Sequence, residues 1–334
     1  MTGKKGMPHI VRVRLESYSL AAESSLRRGA TKYYRKRINE VADLTNKNEL
    51  IKYLKQNELW AKKSLGQNFL VDREVLNKIV KAAELKKTDT VIEIGPGFGV
   101  LTQELVKNAG KVIAIEKDDE LAKKLDVRCQ MAPVSANGQA EVGNVKNIEI
   151  LNQDVLETDL TKLIKLMSNE ADYKLVANIP YYITSKILEK FLSAENKPEL
   201  IVLLVQKEVA ERICAKPGDT SVLSIAVQFY GEPEIVDVVK SSSFWPQPKI
   251  DSAILKIKIK NKISNIKDME QELFKVVRAG FRSRRKTLVN NLISGINLSR
   301  EELFDILEKA GLDKNVRAQE LSVDDWIELS GLII

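Results

Sequence analysis

The stretch VANIPYYIT, residues 176–184, ends an apolar run with an amide, a proline and two tyrosines. If a flat heteroaromatic amine lies here, the side-chain oxygen of Asn178 can accept a hydrogen bond from it, and the Ile179 carbonyl, turned outward by Pro180, can accept another. Tyr181 offers a ring for stacking. Two acceptors on one amine draw its lone pair out of ring conjugation and aim it at an electrophile. The alternative is a helix-entry turn with proline near its start.

A glycine-rich loop, EIGPGFG at residues 93–99, follows a predicted strand and opens a predicted helix. Gly95 and Gly97 let the backbone turn tightly and let a ligand approach it closely. Glu116 ends the next predicted strand, where a carboxylate can accept both hydroxyls of a ribose, and Asp154 ends the third. Ligands of open α/β sheets bind at such strand ends. The pattern indicates an adenosine-containing cofactor, and a dinucleotide fits this evidence as well.

These residues require an α/β scaffold with a parallel sheet. Short apolar runs alternate with segments of helical spacing, which is typical of parallel strands covered on both faces. The predicted strands are residues 90–95, 111–116, 147–154, 173–180, 199–206, 234–239 and 251–260. After about residue 261 the spacing is wholly helical, which predicts a small second domain.

The last predicted strand, DSAILKIKIK, alternates isoleucine with lysine and therefore predicts one wet face near a sheet edge. We interpret Lys256, Lys258 and Lys260 as protection of that edge.

Three regions follow from this pattern. Residues 1–45 form a basic extension, either an arm that contacts nucleic acid or a poorly ordered tail with a short helix. Residues 46–260 form the α/β domain and residues 261–334 the helical domain. The segment SANGQAEVG, residues 135–143, is small, polar and glycine-containing, and is interpreted as a surface loop insertion that extends over about residues 128–145.

The composition excludes several classes of chemistry. The chain has 334 residues and one histidine, His9, so Ser-His-Asp catalysis and histidine-based metal sites are not expected. Cys129 and Cys214 are far apart, as in a reduced cytoplasmic protein. No apolar run approaches the roughly 20 residues that span a bilayer. The net charge of +7 favours a polyanionic partner.

Six segments in order resemble the KsgA-type small-subunit (16S) ribosomal RNA adenine N6,N6-dimethyltransferases, from about residue 46 to the C-terminus. They are KKSLGQNFL (62–70), IEIGPGFG (92–99), NIPYYIT (178–184), LVQKEVAERICAKPG (204–218), FWPQPKIDSAILKI (244–257) and FRSRRKTLVNNL (281–292). The resemblance implies a Rossmann-like class I methyltransferase domain with a mostly parallel seven-stranded sheet, followed by a small C-terminal helical domain. It further implies S-adenosylmethionine-dependent dimethylation of two adjacent adenines in small-subunit ribosomal RNA, during biogenesis of that subunit.

Several site residues follow from the resemblance alone. Asn68 and Leu70 would contact the methionine part of the cofactor, and Gly95, with Gly97 in the same loop, would lie against it.

The remaining strand ends would bind the rest of the cofactor and the target base. Glu116 would bind the ribose hydroxyls and Asp154 the cofactor adenine, while Asn178 would hold both cofactor and target amine. Tyr181 and Phe244 would stack on the target base, which must leave its RNA stack to be reached. Asn178, Pro180 and Tyr181 are thus the expected catalytic residues.

The FRSRRK segment provides the expected phosphate ligands on the helical domain, and its alternative is a solvated basic face. Its cations are Arg282, Arg284, Arg285 and Lys286.

Two rival functions stay open. The related antibiotic-resistance methyltransferases modify large-subunit RNA and share the QNFL and Asn-x-Pro-Tyr motifs. The second is a non-catalytic RNA-binding assembly or transcription factor on the same fold, although the complete glycine loop, acids and turn favour an enzyme.

Thr220 and Ser221 stand where the family usually has a Tyr-Gly pair. The expected partner is the assembling small subunit, and the expected enzyme is cytoplasmic, monomeric, free of metal and not membrane-bound.

Overall fold

The computed structural model describes residues 43–130, 147–165, 167, 172–260 and 267–333. Almost all of the basic extension (1–45) and of the predicted loop insertion (128–145) lies outside the described residues, so the expectations for both stay predictions.

Nine strands are described. Their bounds are β1 Phe69–Leu70, β2 Thr90–Ile94, β3 Lys111–Glu116, β4 Ile148–Asn152, β5 Tyr173–Asn178, β6 Leu200–Gln206, β7 Gly231–Val239, β8 Phe244–Trp245 and β9 Ser252–Ile259. β1 pairs with β8, and the others form a seven-stranded sheet in the order β4-β3-β2-β5-β6-β9-β7. β3, β2, β5 and β4 pair in parallel, whereas β9 is antiparallel to β6 and β7. The predicted α/β fold with a mostly parallel seven-stranded sheet is confirmed.

Twelve α-helices are described. They are α1 Lys47–Gln56, α2 Arg73–Ala82, α3 Val100–Asn108, α4 Asp119–Gln130, α5 Leu160–Lys165, α6 Thr184–Leu192, α7 Lys207–Ile213, α8 Val222–Tyr230, α9 Lys267–Gly280, α10 Leu288–Leu292, α11 Arg300–Lys309 and α12 Val323–Ile333. The last four contain every regular element after residue 266 apart from a 3-10 turn at Ala318–Glu320, as the helical spacing predicted.

The chain divides into two compact units, Met1–Tyr182 with Lys240–Lys249, and Ile183–Val239 with Ile250–Ile334. The boundaries of these units differ from those of the predicted regions 46–260 and 261–334. The predicted regions follow the change in the sequence from alternating to helical spacing, and they stay a prediction.

In the first unit, the short strand β1 places the QNFL segment. Leu70 pairs with Phe244 and Phe69 with Trp245, so two residues of β8 fix the register of β1. The Phe69 ring lies 4.5 Å from the ring of Phe98 in the glycine-rich loop, measured between centroids. β1 is therefore anchored next to the glycine-rich loop.

In the second unit, β9 is an interior strand. Its two neighbours, β6 and β7, both hydrogen-bond to it. The interpretation of Lys256, Lys258 and Lys260 as edge protection is therefore wrong. Lys256 instead forms an ion pair with Glu234 of β7, with 3.1 Å between Nζ and Oε1. β7 is the edge strand on this side of the sheet, and a bulge between Ile235 and Asp237 interrupts its regular pairing with β9.

The helices after residue 266 share one hydrophobic core with α8, which contributes Ile225 and Phe229 within the second unit. Trp326 of α12 is fully buried against the other helices, together with Leu273 of α9, Leu288 of α10 and Leu303 of α11. Gly280 lets the Trp326 indole approach, since a Cβ at that position would lie 2.4 Å from the ring.

Candidate active site

The carboxyl ends of four parallel strands are aligned. Ile94 of β2 lies opposite Ile115 of β3 and Ala177 of β5, while Glu116 lies opposite Asn152 of β4. The glycine-rich loop, both predicted acids and the predicted amide therefore follow strand ends on one edge of the first unit. Sequence reasoning predicted this convergence, because parallel strands end on the same side.

The glycine-rich loop is in the left-handed conformation that its glycines favour. Gly95 has φ 64° and Gly97 φ 57°. A Cβ added to Gly95 would have its nearest neighbour, the Asn178 carbonyl oxygen, at 3.9 Å, so the space beside Gly95 is open. A Cβ on Gly97 would lie 3.3 Å from the Phe69 ring. The loop thus presents bare backbone beside the end of β5.

The Glu116 carboxylate is fixed by two main-chain donors. Oε2 accepts from the Gly97 amide at 3.0 Å and Oε1 from the Asp118 amide at 2.8 Å. Burial raises the pKa of Glu116, and the two amide hydrogen bonds oppose that shift. Because each carboxylate oxygen has two lone pairs, both oxygens keep acceptor capacity for a ligand.

Asp154 lies two residues beyond the end of β4. Its Oδ1 accepts from the Leu156 amide at 2.9 Å, and its Oδ2 lies 2.8 Å from Nζ of Lys117. This ion pair raises the pKa of Lys117. The residue after Glu116 therefore reaches across to the second predicted acid, a contact that the sequence reasoning missed.

The Asn178 side chain is oriented by the QNFL segment. Its Nδ2 donates to the Asn68 carbonyl oxygen at 3.1 Å. The side-chain Nδ2 of Asn68 in turn donates to the Gly66 carbonyl at 3.2 Å. Within the described residues Oδ1 of Asn178 accepts no hydrogen bond, so the side chain presents an acceptor whose direction is set by its own donor.

The turn after Asn178 contains the predicted Pro180 and Tyr181, both half-buried. Tyr182 is 61% exposed, and its ring approaches Gly66, where an added Cβ would lie 3.2 Å from Cε1. Phe244 is only 1% exposed. The predicted stacking of Phe244 on a base stays a prediction, and it would require the ring to become accessible.

A polar network fixes the segment before β1 to the start of α4. Nζ of Lys62 lies 2.9 Å from Oδ2 of Asp118 and 2.9 Å from Oε2 of Glu120. Nε2 of Gln67 donates to the same Asp118 oxygen at 3.1 Å, and Oε1 of Gln67 accepts from the Lys62 amide at 2.8 Å. The Asp118 side chain is 2% exposed. No sequence pattern indicates a role for these four residues.

A further acid is buried at the end of β2, where the glycine-rich segment begins. Glu93, in the interior strand β2, is 1% exposed, and its Oε2 has no hydrogen-bond partner in the described chain. Burial raises the pKa of Glu93 to about 8, the nearby Thr102 hydroxyl opposes the shift, and the Glu116 carboxylate adds to it. Glu93 is therefore protonated at neutral pH.

The basic segment of the second unit lies between α9 and α10. Arg282 donates to the Ser294 carbonyl at 2.7 Å, and Arg284 forms an ion pair with Asp219. Arg285 and Lys286 are exposed and make no side-chain hydrogen bond or ion pair with any described residue. Two of the four predicted phosphate ligands thus have their charges unengaged.

A buried amide fixes the backbone of this basic segment. Asn291 of α10 is 2% exposed, and its Nδ2 donates to the Gly280 carbonyl at 2.7 Å and to the Ser283 carbonyl at 2.9 Å. The segment is therefore attached at two points to the helical core.

The described ranges contain no cluster of three histidine, cysteine, aspartate or glutamate side chains suited to a metal ion. Among the helices described, none is both long and apolar enough to cross a bilayer.

The strand order and the glycine-rich loop, with acids at the next two strand ends, define the class I methyltransferase fold. Two solved structures share it: the 23S rRNA methyltransferase ErmE and a dimethyladenosine transferase from Plasmodium falciparum. The first has a TM-score of 0.62 and 27% identity and covers 80% of this chain and 99% of its own. The second has a TM-score of 0.63 and 28% identity and covers 78% and 95%.

The family is shown by the sequence. The family model described as "Ribosomal RNA adenine dimethylase" matches residues 59–334, and the chain belongs to this family. A relative from Dehalococcoides mccartyi strain 195, "Ribosomal RNA small subunit methyltransferase A", is 46% identical over 80% of this chain and 87% of its own length. The relative of the same name from Clostridioides difficile strain 630 is 41% identical over 81% and 90%. The resemblance stated from the six motifs is confirmed.

Proposed function

We propose that the protein transfers methyl groups from S-adenosylmethionine to the exocyclic amines of adenines in small-subunit ribosomal RNA. The observation that carries the proposal is the orientation of the Asn178 side chain at the carboxyl end of β5. Its Nδ2 donates to Asn68, so its oxygen is left as an acceptor. A target amine needs such an acceptor, whereas a turn with a purely structural role would not need one.

The site at the carboxyl ends of the parallel strands fits the cofactor. Gly95 leaves room beside the backbone, and Glu116 offers two oxygens already fixed by main-chain amides to the ribose hydroxyls. Asp154 would bind the cofactor adenine, and Asn68 and Leu70 the methionine part. When bound, S-adenosylmethionine supplies the methyl group as a sulfonium electrophile.

The turn after β5 would hold the target base. Oδ1 of Asn178 and the Ile179 carbonyl accept hydrogen bonds from the two N–H groups of the amine, which draws the nitrogen lone pair out of conjugation with the ring. Tyr181 stacks on the base, with Pro180 fixing the direction of the turn. After one methyl transfer the amine has a single proton to donate, so the same site must accept a substrate with one hydrogen bond fewer. The amine loses its proton after transfer, so no imidazole base is required.

The RNA itself would bind through exposed cations. Arg285 and Lys286 are free to neutralise phosphates, and Arg282 and Arg284 lie in the same segment. A cytoplasmic location, a monomeric state and the absence of a metal are finer expectations that stay predictions.

We favour small-subunit RNA over large-subunit RNA as the substrate. The relatives at 46% and 41% identity carry a small-subunit name, whereas the structure named for 23S rRNA is 27% identical. This comparison supports the proposal, and the RNA-mapping experiment below decides it.

The test is incubation with labelled S-adenosylmethionine and purified small- or large-subunit RNA and subunits, followed by mass spectrometry of the nucleosides and mapping of the base. We expect dimethyladenosine in the small-subunit arm alone. Asn178→Ala should slow both methyl transfers severely, while Asn48→Ala, the same change on an exposed turn of α1, should not.

Tyr181 separates stacking from hydrogen bonding. Tyr181→Phe should stay active because stacking needs only the ring, and Tyr181→Ala should lose about 1–3 kcal/mol of base positioning. A fully active Asn178→Ala enzyme would show that the turn is only a helix entry. Product in the large-subunit arm alone would favour the antibiotic-resistance type of activity, and absence of cofactor binding would favour a non-catalytic factor.

A further inference from the structure

We propose that Asp118 is a positioning residue that, through Lys62 and Gln67, fixes the segment carrying Asn68 to the strand end carrying Glu116. The proposal rests on the proposed function, because Asn68 and Glu116 are taken to bind opposite parts of the same cofactor. In this role Asp118 acts through its neighbours and needs no contact of its own with the cofactor or the base.

The geometry shows one carboxylate joining two chain segments. Oδ2 of Asp118 receives both Nζ of Lys62 at 2.9 Å and Nε2 of Gln67 at 3.1 Å. On the other side, the Asp118 amide donates to Oε1 of Glu116 at 2.8 Å. The path from Gln67 to Glu116 thus passes through a single buried residue.

Because Asp118 is buried, its link between the two chain segments depends on these particular partners. Its side chain is 2% exposed while that of Lys62 is 42% exposed. A buried carboxylate needs charged or hydrogen-bonding partners, so Lys62 and Gln67 cannot leave without exposing an unsatisfied acceptor. Burial opposes ionisation of Asp118, and the hydrogen bonds from Lys62 and Gln67 overcome it, so the pKa of this carboxyl lies below its ordinary value.

The far end of the segment is fixed independently. The Asn68 carbonyl accepts from Asn178, and Val71 donates to the Ser243 carbonyl at 2.8 Å. Loss of the Asp118 contacts should therefore loosen residues 62–67 and leave β1 in place. We expect the cofactor site to form less completely, with the fold and the base-binding turn retained.

The experiment uses Lys62→Met in the full-length protein, which keeps much of the apolar stem and removes the charge. Lys63→Met is the matched control, because Lys63 is the adjacent exposed lysine and its side chain makes no described contact. Lys62→Arg is the conservative variant, since a guanidinium can pair with both Asp118 and Glu120.

Two readouts are required. Calorimetry with S-adenosylmethionine should show a dissociation constant raised about tenfold in Lys62→Met, equivalent to about 1.4 kcal/mol. The value should be unchanged in Lys63→Met and largely restored in Lys62→Arg. In methyl transfer, KM for the cofactor should rise while kcat at saturation stays near that of the wild type.

Hydrogen exchange in the cofactor-free protein is the second readout. The amides of Lys62, Leu65 and Gly66 are hydrogen-bonded within the segment and should exchange faster in Lys62→Met, while Val71 should not change. Faster exchange with unaltered affinity would overturn the positioning role, as would no change in either. If the wild type binds no S-adenosylmethionine, the proposed function fails, and the positioning role of Asp118 fails with it. If the wild type binds the cofactor normally and Lys62→Met binds it equally well, only the positioning role of Asp118 is refuted.

Discussion

Glu93 should make the stability of this protein fall as the pH rises from 5 to 8. Its carboxyl is 1% exposed, and its pKa is raised from 4.5 to about 8, principally by burial. Between these two values the folded chain keeps a proton that the unfolded chain has lost. Because the folded state binds more protons, the free energy of unfolding decreases with pH in this window and levels off above about pH 8.

The size of the effect follows from the two pKa values. A shift of one unit corresponds to about 1.4 kcal/mol, so the interval from pH 5.0 to pH 7.5 contributes about 3 kcal/mol. Glu93→Gln resembles the protonated acid in shape and cannot ionise. Its unfolding free energy should therefore lack this decrease, and relative to the wild type it should gain about 3 kcal/mol over the same interval.

Urea unfolding at pH 5.0 and 7.5, followed by tryptophan fluorescence and circular dichroism, measures the difference directly. Any pH-independent packing effect of the glutamine cancels when each variant is compared with itself at the two pH values. Glu74→Gln, on an exposed position of α2, controls for the removal of one charge. Parallel pH dependences for the wild type and Glu93→Gln would refute the conclusion that Glu93 is protonated in the folded protein.

Two further predictions concern ligands. Glu116→Ala should weaken S-adenosylmethionine binding by about 1–3 kcal/mol in calorimetry, the range for hydrogen bonds to a charged group, and an unchanged affinity would place the ribose elsewhere. The double variant Arg285→Gln/Lys286→Gln should flatten the salt dependence of RNA binding by about 1.5 log–log units without changing cofactor affinity, because about 0.7–0.9 of a counterion is released per phosphate contact. Lys47→Gln/Lys52→Gln removes the same charge from exposed positions of α1 and should leave the slope unaltered; equal slopes in both double variants would mean that the basic segment is only a solvated surface.

The parallel strands and their convergent ends could be predicted from the sequence because both depend on local patterns. The run KVIAIE coincides with β3, and the other predicted strands differ from the observed ones by a few residues at their ends. Once strands are parallel, the position of Glu116 and Asn178 at one edge follows without knowledge of packing. The two-residue strands β1 and β8 carry no such pattern, since they exist only through their mutual pairing.

The errors and omissions have a common physical origin in contacts between distant segments. β9 was placed near an edge because its lysines suggested a wet face, but Lys256 finds its partner in Glu234 on the adjacent strand. Lys62 and Asp118 are 56 residues apart, and neither has an unusual local context. Burial of Asp118 is a tertiary property, so its role became visible only in the structure.

The buried amide of Asn291 has a consequence for the energetics of RNA recognition. By binding the Gly280 and Ser283 carbonyls, it restricts the backbone that leads into Arg284, Arg285 and Lys286 before any RNA arrives. A loop that is ordered in advance loses less conformational entropy when it meets a phosphate backbone than a loop that must be ordered on contact. Binding of RNA phosphates by these cations would therefore gain affinity from Asn291, a buried side chain of the helical core.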